Sequence, residues 1–214
     1  MKIPTDIHTH HQFGLPGEAI INNSPEDFIP QKLYWYSIGI HPWEIHKIPT
    51  PYPTMKWKAF EKQAKHPQVL AIGESGLDKQ IQAPLPLQEQ LFIRQALLAE
   101  ELCKPLIIHA VKAANELWML REQVKSSSPW IIHGFRGNAV LAEQYIRHGF
   151  YLSFGEHYHP EALCATPIDR LFLETDESPT PITTLYEHAA ILRGISTDIL
   201  QRAIGENIEK VFFK

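Results

Sequence analysis

The sequence is poor in cysteine, in net positive charge and in long apolar runs, and each shortage removes a class of protein. Cys103 and Cys164 stand alone and outside any C-x-x-C motif, so neither a disulfide framework nor a thiolate zinc knuckle is expected. Two reduced thiols fit a cytoplasmic protein. Lys and Arg number 20 against 24 Asp and Glu, a formal net charge of −4. No global positive field therefore draws in nucleic acid, and affinity for phosphate must come from a local site or from bound cations. The opening "MKIPTDIHTH" is polar by its fifth residue, which gives no signal peptide or membrane span. Internal repeats, linkers and low-complexity tracts are also lacking. A chain of 214 residues, 44% hydrophobic, is expected to form one domain over residues 1–214.

Histidine is what the chain does have. Twelve occur, and three of them crowd into "DIHTHH" at residues 6–11. Residues two apart on a strand project from one face, so His8 and His10 could grip a single cation from the end of a first strand. Further along, short β-branched or aromatic runs alternate with amphipathic segments, the pattern of β/α units around a parallel sheet. Strands are expected at 3–8, 19–22, 35–41, 69–74, 106–109, 130–133, 150–154 and 171–175. The second is the least separated from its predecessor. The clearest helix is "LPLQEQLFIRQALLAEELC", where Leu87, Leu91, Gln95, Leu98 and Leu102 recur at helical spacing. The Pro-rich pieces "IPTPYPTMK" and "QAPLPLQ" read as loops entering helix starts. Eight strands with helices between them suggest an α/β fold, a compact TIM (β/α)8 barrel near the short end of that fold's length range.

The strand ends then carry the chemistry. His8 and His10 close the first, Glu74 the fourth, His109 the fifth and His133 the sixth, while the eighth runs into Asp176. All C-terminal strand ends of a β/α barrel meet at one mouth, so these distant residues should converge there. Taken singly, each could be a polar residue on a wet strand end. Together they combine imidazoles and carboxylates suited to divalent cations, and a carboxylate such as Glu74 could bridge two of them. Paired cations about 3.5–4 Å apart are a common device for phosphoester hydrolysis. The mixed nitrogen and oxygen set suits Zn, Mn, Ni or Co, with Mg a weaker match.

The motifs "DIHTH", "GIHPW", "AIGESGLD", "PLIIH", "IIHGFRG", "YLSFG", "FLETDESP" and "IGENIEKVF" run in that order along nearly the whole chain. In that order and spacing the sequence resembles the TatD-type metal-dependent deoxyribonucleases, amidohydrolase-like TIM barrels. The resemblance implies metal ligands His8, His10, Glu74, His109, His133 and Asp176, with Glu74 bridging two divalent ions. It further implies that Asp176 orients or deprotonates the attacking water, so that Asp176 and Glu74 are the catalytic carboxylates. His41 is implied to face substrate near the scissile phosphate, although a histidine shaping the turn before Pro42 fits equally well. Asp78 reads as a turn aspartate that could also support a ligand histidine. The five tryptophans read mostly as core and loop packing, and Trp43, the one next to the proposed site, could stack on a base.

The departures from the family pattern concern substrate. Val111 stands where the family usually carries arginine, Lys112 follows it, and Arg136 takes the place of a small residue in "HGFRG". Lysine does not reproduce a bidentate arginine clamp. After "ETDESP" the chain passes straight into "TPITTLY", without the family's basic loop. The expectation is a hydrolase acting on ester bonds, cleaving DNA or a short oligonucleotide, with Lys112, Arg136 and His41 as substrate contacts. No obligate protein partner and no membrane is implied. The same centre could instead hydrolyse another small phosphoester, an ester or an amide, or could bind metal without nuclease activity.

Overall fold

The computed structural model describes residues 2–12, 14–47 and 53–213, with the side chains of residues 46 and 47 outside the description. Eight parallel strands follow one another in chain order: β1 Asp6–Thr9, β2 Ala19–Asn23, β3 Trp35–Ile38, β4 Val69–Asp78, β5 Leu106–Val111, β6 Trp130–Ile132, β7 Tyr151–Phe154 and β8 Leu171–Leu173. The first and last strands meet through a parallel bridge between Thr9 and Asp176. There the His10 amide donates to the Asp176 carbonyl at 3.0 Å and the Asp176 amide donates to the His8 carbonyl at 3.0 Å. These bonds close the barrel, as the sequence pattern predicts.

Helices cover the barrel unevenly. After β3 come a 3-10 turn at Pro42–Lys47 and α1 at Thr54–Ala64; then α2 Leu85–Glu101, α3 Ala114–Val124, α4 Ala139–Arg147, α5 Pro160–Ala165, α6 Ile182–Arg193 and α7 Thr197–Phe212. Among the described residues no helix lies between β1 and β2 or between β2 and β3. That economy is how eight strands fit into a short chain. Local chemistry sets the helix ends. Asn138 caps α4 by accepting from the Leu141 amide at 2.9 Å, Ser196 caps α7, and Gly194 ends α6 at φ 65°. Pro84 precedes α2 and Pro53 precedes α1, as the Pro-rich pieces suggest, although residues 48–52 of the first piece lie outside the described residues.

The core is aromatic around β6 and β7. Trp130 packs edge-on against Phe92 of α2 at 5.2 Å and against Phe150 at 5.7 Å, all three fully buried. Burying such side chains contributes about 1.5–3 kcal/mol each. All ten residues of β4 are buried, as expected of a strand whose two faces meet the barrel interior and the helices. Gly76 is needed there: a Cβ would lie 1.9 Å from the His109 carbonyl, so only glycine lets β4 and β5 approach this closely.

Every strand differs from its expected limits by one to four residues at an end, with β1 starting at Asp6 and β8 stopping at Leu173, and the shifts in β3, β4 and β5 bear on site residues. β3 stops at Ile38, so His41 lies three residues beyond it instead of closing it. β4 runs to Asp78, which puts Glu74 in mid-strand, and β5 runs past His109 to Val111. Strand pairing overrides the polarity that suggested those ends, since Gly76 pairs with His109 and Asp78 with Val111. No helix among the described residues is long and apolar enough to cross a membrane.

Candidate metal centre at the barrel mouth

Glu74 is the hub of the mouth. Its Oε1 lies 2.7 Å from His133 Nε2, 3.0 Å from His109 Nδ1 and 3.0 Å from His41 Nε2. Its Oε2 lies 3.4 Å from the Nε2 atoms of both His8 and His10, which are in turn 3.7 and 3.6 Å from Asp176 Oδ1. One buried carboxylate thus presents a different oxygen to each of two nests of donor atoms. The sequence-predicted ligands converge, and His41 joins them on the Oε1 side.

Backbone geometry aims these groups. Asp176 adopts φ 55°, a region sparsely populated by residues with a Cβ, and is held there by the main-chain bonds to His8 and His10 together with Thr9 Oγ1 donating to its carbonyl at 3.2 Å. Asp6 ties the same seam. Its Oδ2 accepts from Thr175 Oγ1 at 2.6 Å and its Oδ1 from the amides of His8 and Thr175. Burial outweighs these bonds and pushes the Asp6 carboxyl up to about 7.

A layer of polar side chains supports the imidazoles. Glu174, fully buried, faces His133 Nδ1 at 3.2 Å and accepts from the Gly134 amide at 2.6 Å. Asp78 Oδ2 faces His109 Nε2 at 3.4 Å and accepts from Trp43 Nε1 at 2.7 Å, while its Oδ1 accepts from the Gln80 amide. Asp78 therefore makes both a turn contact, to the Gln80 amide, and a contact to His109. From α2, Gln88 pairs with the backbone of Asp78 and Gln95 with both polar groups of Ile40, next to His41. The supporting contacts of Glu174, Asp6, Gln88 and Gln95 were not expected from the sequence. The adjacency of Glu174 to Asp176 in "ETD" and the burial of Gln95 within an apolar stripe were the available signals.

The electrostatics are those of a cation trap. Burial opposes ionisation of Glu74, yet His133, His10 and His109 hold its carboxyl well below the usual range. Burial likewise disfavours the His133 imidazolium, but Glu74 and Glu174 together raise it well above the ordinary value. The hydrogen bond to Glu74 raises His10. Negative potential that attracts protons to imidazoles attracts metal cations to the same lone pairs. His8 supplies the test of fit: it is fully buried, and neither ring nitrogen has a hydrogen-bond partner among the described residues. A buried imidazole lone pair 3.4 Å from a carboxylate oxygen lacks an electrophile that a divalent ion would provide. His8, Glu74 and His133, then His8, His10 and Asp176, and then His41, Glu74 and His109 each bring their donor atoms within 4.8 Å of one another.

The mouth opens into a cleft of about 1200 Å³. His41, Trp43, Lys112 and Arg136 line it with the centre, Lys112 at φ 53° just beyond β5 and Arg136 exposed in the loop before α4.

Comparison with known proteins agrees with this architecture. A family model described as TatD related DNase matches residues 29–213. The uncharacterized metal-dependent hydrolase YabD of Bacillus subtilis is 28% identical over 198 residues, covering 82% of this chain and 76% of that protein. The 3'-5' ssDNA/RNA exonuclease TatD of Klebsiella pneumoniae is 28% identical over 205 residues, covering 83% and 76%. Among solved structures, YjjV, a TatD homologue from Escherichia coli K12, superposes with a TM-score of 0.83 at 19% identity, covering 100% of this chain and 98% of its own.

Proposed function

The chain belongs to the family of TatD-related DNases, and from that premise we propose that residues 1–214 form one hydrolase domain whose mouth binds two divalent cations and cleaves nucleic-acid phosphodiesters. The observation that carries the reading is the split of Glu74, with Oε1 toward His109 and His133 and Oε2 toward His8, His10 and Asp176. One cation would be held by His8, His10, Asp176 and Glu74, the other by His109, His133 and Glu74. The nitrogen-rich donor set favours Zn, Mn, Ni or Co over Mg. When bound, such ions lower the pKa of a water molecule and offset the charge that develops on a phosphoryl group.

The chain's own residues do the rest. Asp176 Oδ2 takes the proton of the attacking water, and Oδ1 keeps the carboxylate facing His8 and His10. Phosphorus then bonds to the water oxygen as the ester P–O bond breaks; the leaving alkoxide takes a proton from solvent water, and Asp176 returns to solvent the proton it accepted. His41, Lys112 and Arg136 line the cleft beside the centre and contact the substrate phosphates there. Glu174 and Asp78 fix the tautomers and orientations of His133 and His109. Names borne by relatives, including the exonuclease of Klebsiella pneumoniae, support a nucleic-acid substrate.

The testing experiment pairs elemental analysis of the purified protein with hydrolysis of single-stranded DNA, RNA and p-nitrophenyl phosphodiesters in manganese. Two ions per chain and cleavage of an oligonucleotide are expected. Cleavage of acyl esters with no phosphodiester activity would replace the nuclease reading with a general metallohydrolase.

A further inference from the structure

Trp43 has no part in the mechanism above, yet its placement is unusual. It is 55% exposed, the only large aromatic side chain so open among the described residues, and it stands at the rim of the cleft. Its ring centroid lies 5.0 Å from that of His41 and 5.8 Å from that of His109. The indole does not swing freely, because Nε1 donates to Asp78 Oδ2 at 2.7 Å. A half-bare indole held rigid beside a phosphate-handling centre loses little conformational entropy when a flat ligand packs on it.

The charge around it narrows what that ligand can be. Along the cleft the carboxylates of Asp27, Glu44 and Glu177 join Glu74 and Asp176, and the cationic side chains lining it are Lys112 and Arg136. A groove of that sign cannot track a long phosphate backbone by counterion release. Binding must come instead from the metal centre and from a neutral, flat group next to the phosphate. A nucleobase is such a group, and its π face is free only where the strand is single or frayed, since bases in a duplex already stack on one another.

We propose that Trp43 is a stacking platform for a nucleobase of one of the two nucleotides that share the scissile phosphate. The inference rests on the nuclease reading. Asp78 sets the platform, and because the same oxygen faces His109, base stacking and the metal centre share one anchor.

The test is a binding measurement, so it does not depend on turnover. A short fluorescein-labelled oligothymidylate with phosphorothioate linkages is compared, in manganese, with an oligomer of the same length in which every base is replaced by an abasic tetrahydrofuran. Both carry the same phosphates. The parent protein should bind the base-bearing oligomer roughly 5- to 150-fold more tightly, the range that one base–aromatic stack supplies. Trp43→Ala should bring the two affinities together by weakening only the base-bearing one. Trp43→Phe keeps a ring without the hydrogen bond to Asp78 and should retain most of the discrimination. Thermal melting and metal content of each variant establish that fold and centre are intact. Equal affinity of the parent for both oligomers would overturn the proposal, as would discrimination that survives in Trp43→Ala. A Trp43→Phe variant as impaired as Trp43→Ala would also overturn it, by assigning the residue to holding Asp78. Failure of the nuclease reading is seen separately, as absence of cleavage of unmodified DNA and RNA.

Discussion

Two carboxylates at opposite ends of the barrel are both held below their ordinary range, and they serve opposite purposes. Glu74 sits at the mouth among imidazoles. Glu100 sits at the far end, in the last turn of α2, where the loop before β6 wraps it: it accepts from the hydroxyls of Ser126 and Ser127 and from the amides of Ser127 and Ser128. Burial works against ionisation of Glu100 too, but those donors bring it to about 2. The partners make the difference. Serine hydroxyls and amides keep their protons, so Glu100 is satisfied once the chain folds. Imidazoles exchange a proton for a metal ion, so Glu74 stays ready for a cation. A depressed pKa marks a functional site only when the groups depressing it can change state.

Substitutions should pull the two ends apart. The largest effect is expected for Asp176→Asn, which keeps the volume and removes the basic carboxylate. Oligonucleotide hydrolysis in excess manganese should fall by about 10²–10⁴-fold while the melting temperature holds. A rate near the parental one would remove Asp176 from the role of base. Next comes Glu74→Ala, which should abolish the thermal stabilisation conferred by manganese. In the parent that gain is about 2.7 kcal/mol for each site at a free metal concentration 100 times its Kd. If calorimetry still records both ions on Glu74→Ala, the bridge does not exist. Third, Glu174→Gln should weaken one ion and spare the other, by about 10–100-fold, because Glu174 faces His133 and not His8 or His10.

Proton linkage sharpens the contrast further. In the metal-free protein His133 carries a raised pKa, so its bound proton stabilises the fold below about 6.5, and that contribution fades as pH rises through the folded value. A cation must displace that proton. Metal binding should therefore release protons near neutral pH, visible as a dependence of the titration heat on buffer ionisation enthalpy, and apparent affinity should rise with pH. Heats that are the same in every buffer would contradict this.

The smallest effect belongs to the far end. Glu100 has a lowered folded pKa, so its contribution is complete above its unfolded value near 4.5 and is lost as pH falls toward about 2. Glu100→Gln should cost about 1 kcal/mol at neutral pH, given solvent screening of a partly exposed group, and should flatten the acid limb of the stability profile. Hydrolysis should not change. Lost activity in Glu100→Gln at an unchanged melting temperature would mean that the two ends are coupled.

Most of the proposed ligand set could be read from the chain because metal-ligating side chains are rare, chemically distinct and placed at strand ends by the β/α alternation. Each strand appears as a run such as "LAIGE" or "PLIIH" whose residues need only their neighbours to be recognised. The supporting layer was harder to see. Glu174, Asp6 and Gln95 look like ordinary polar residues until the barrel closes and buries them against His133, Thr175 and Ile40. Strand limits were equally hidden, since β4 and β5 extend past Glu74 and His109 through pairing between distant segments.

The sequence by itself determined the order of eight strands, the residues able to hold cations and the net negative charge, because periodicity, residue chemistry and net charge are properties of the chain. Only the tertiary structure decided which oxygen of Glu74 faces which imidazole, that His41 shares Oε1 with His109 and His133, and that Asp78 joins Trp43 to His109. Those relations link residues tens of positions apart. They follow from the register and closure of the barrel, which hydrogen bonds between non-neighbouring segments fix and no local pattern records.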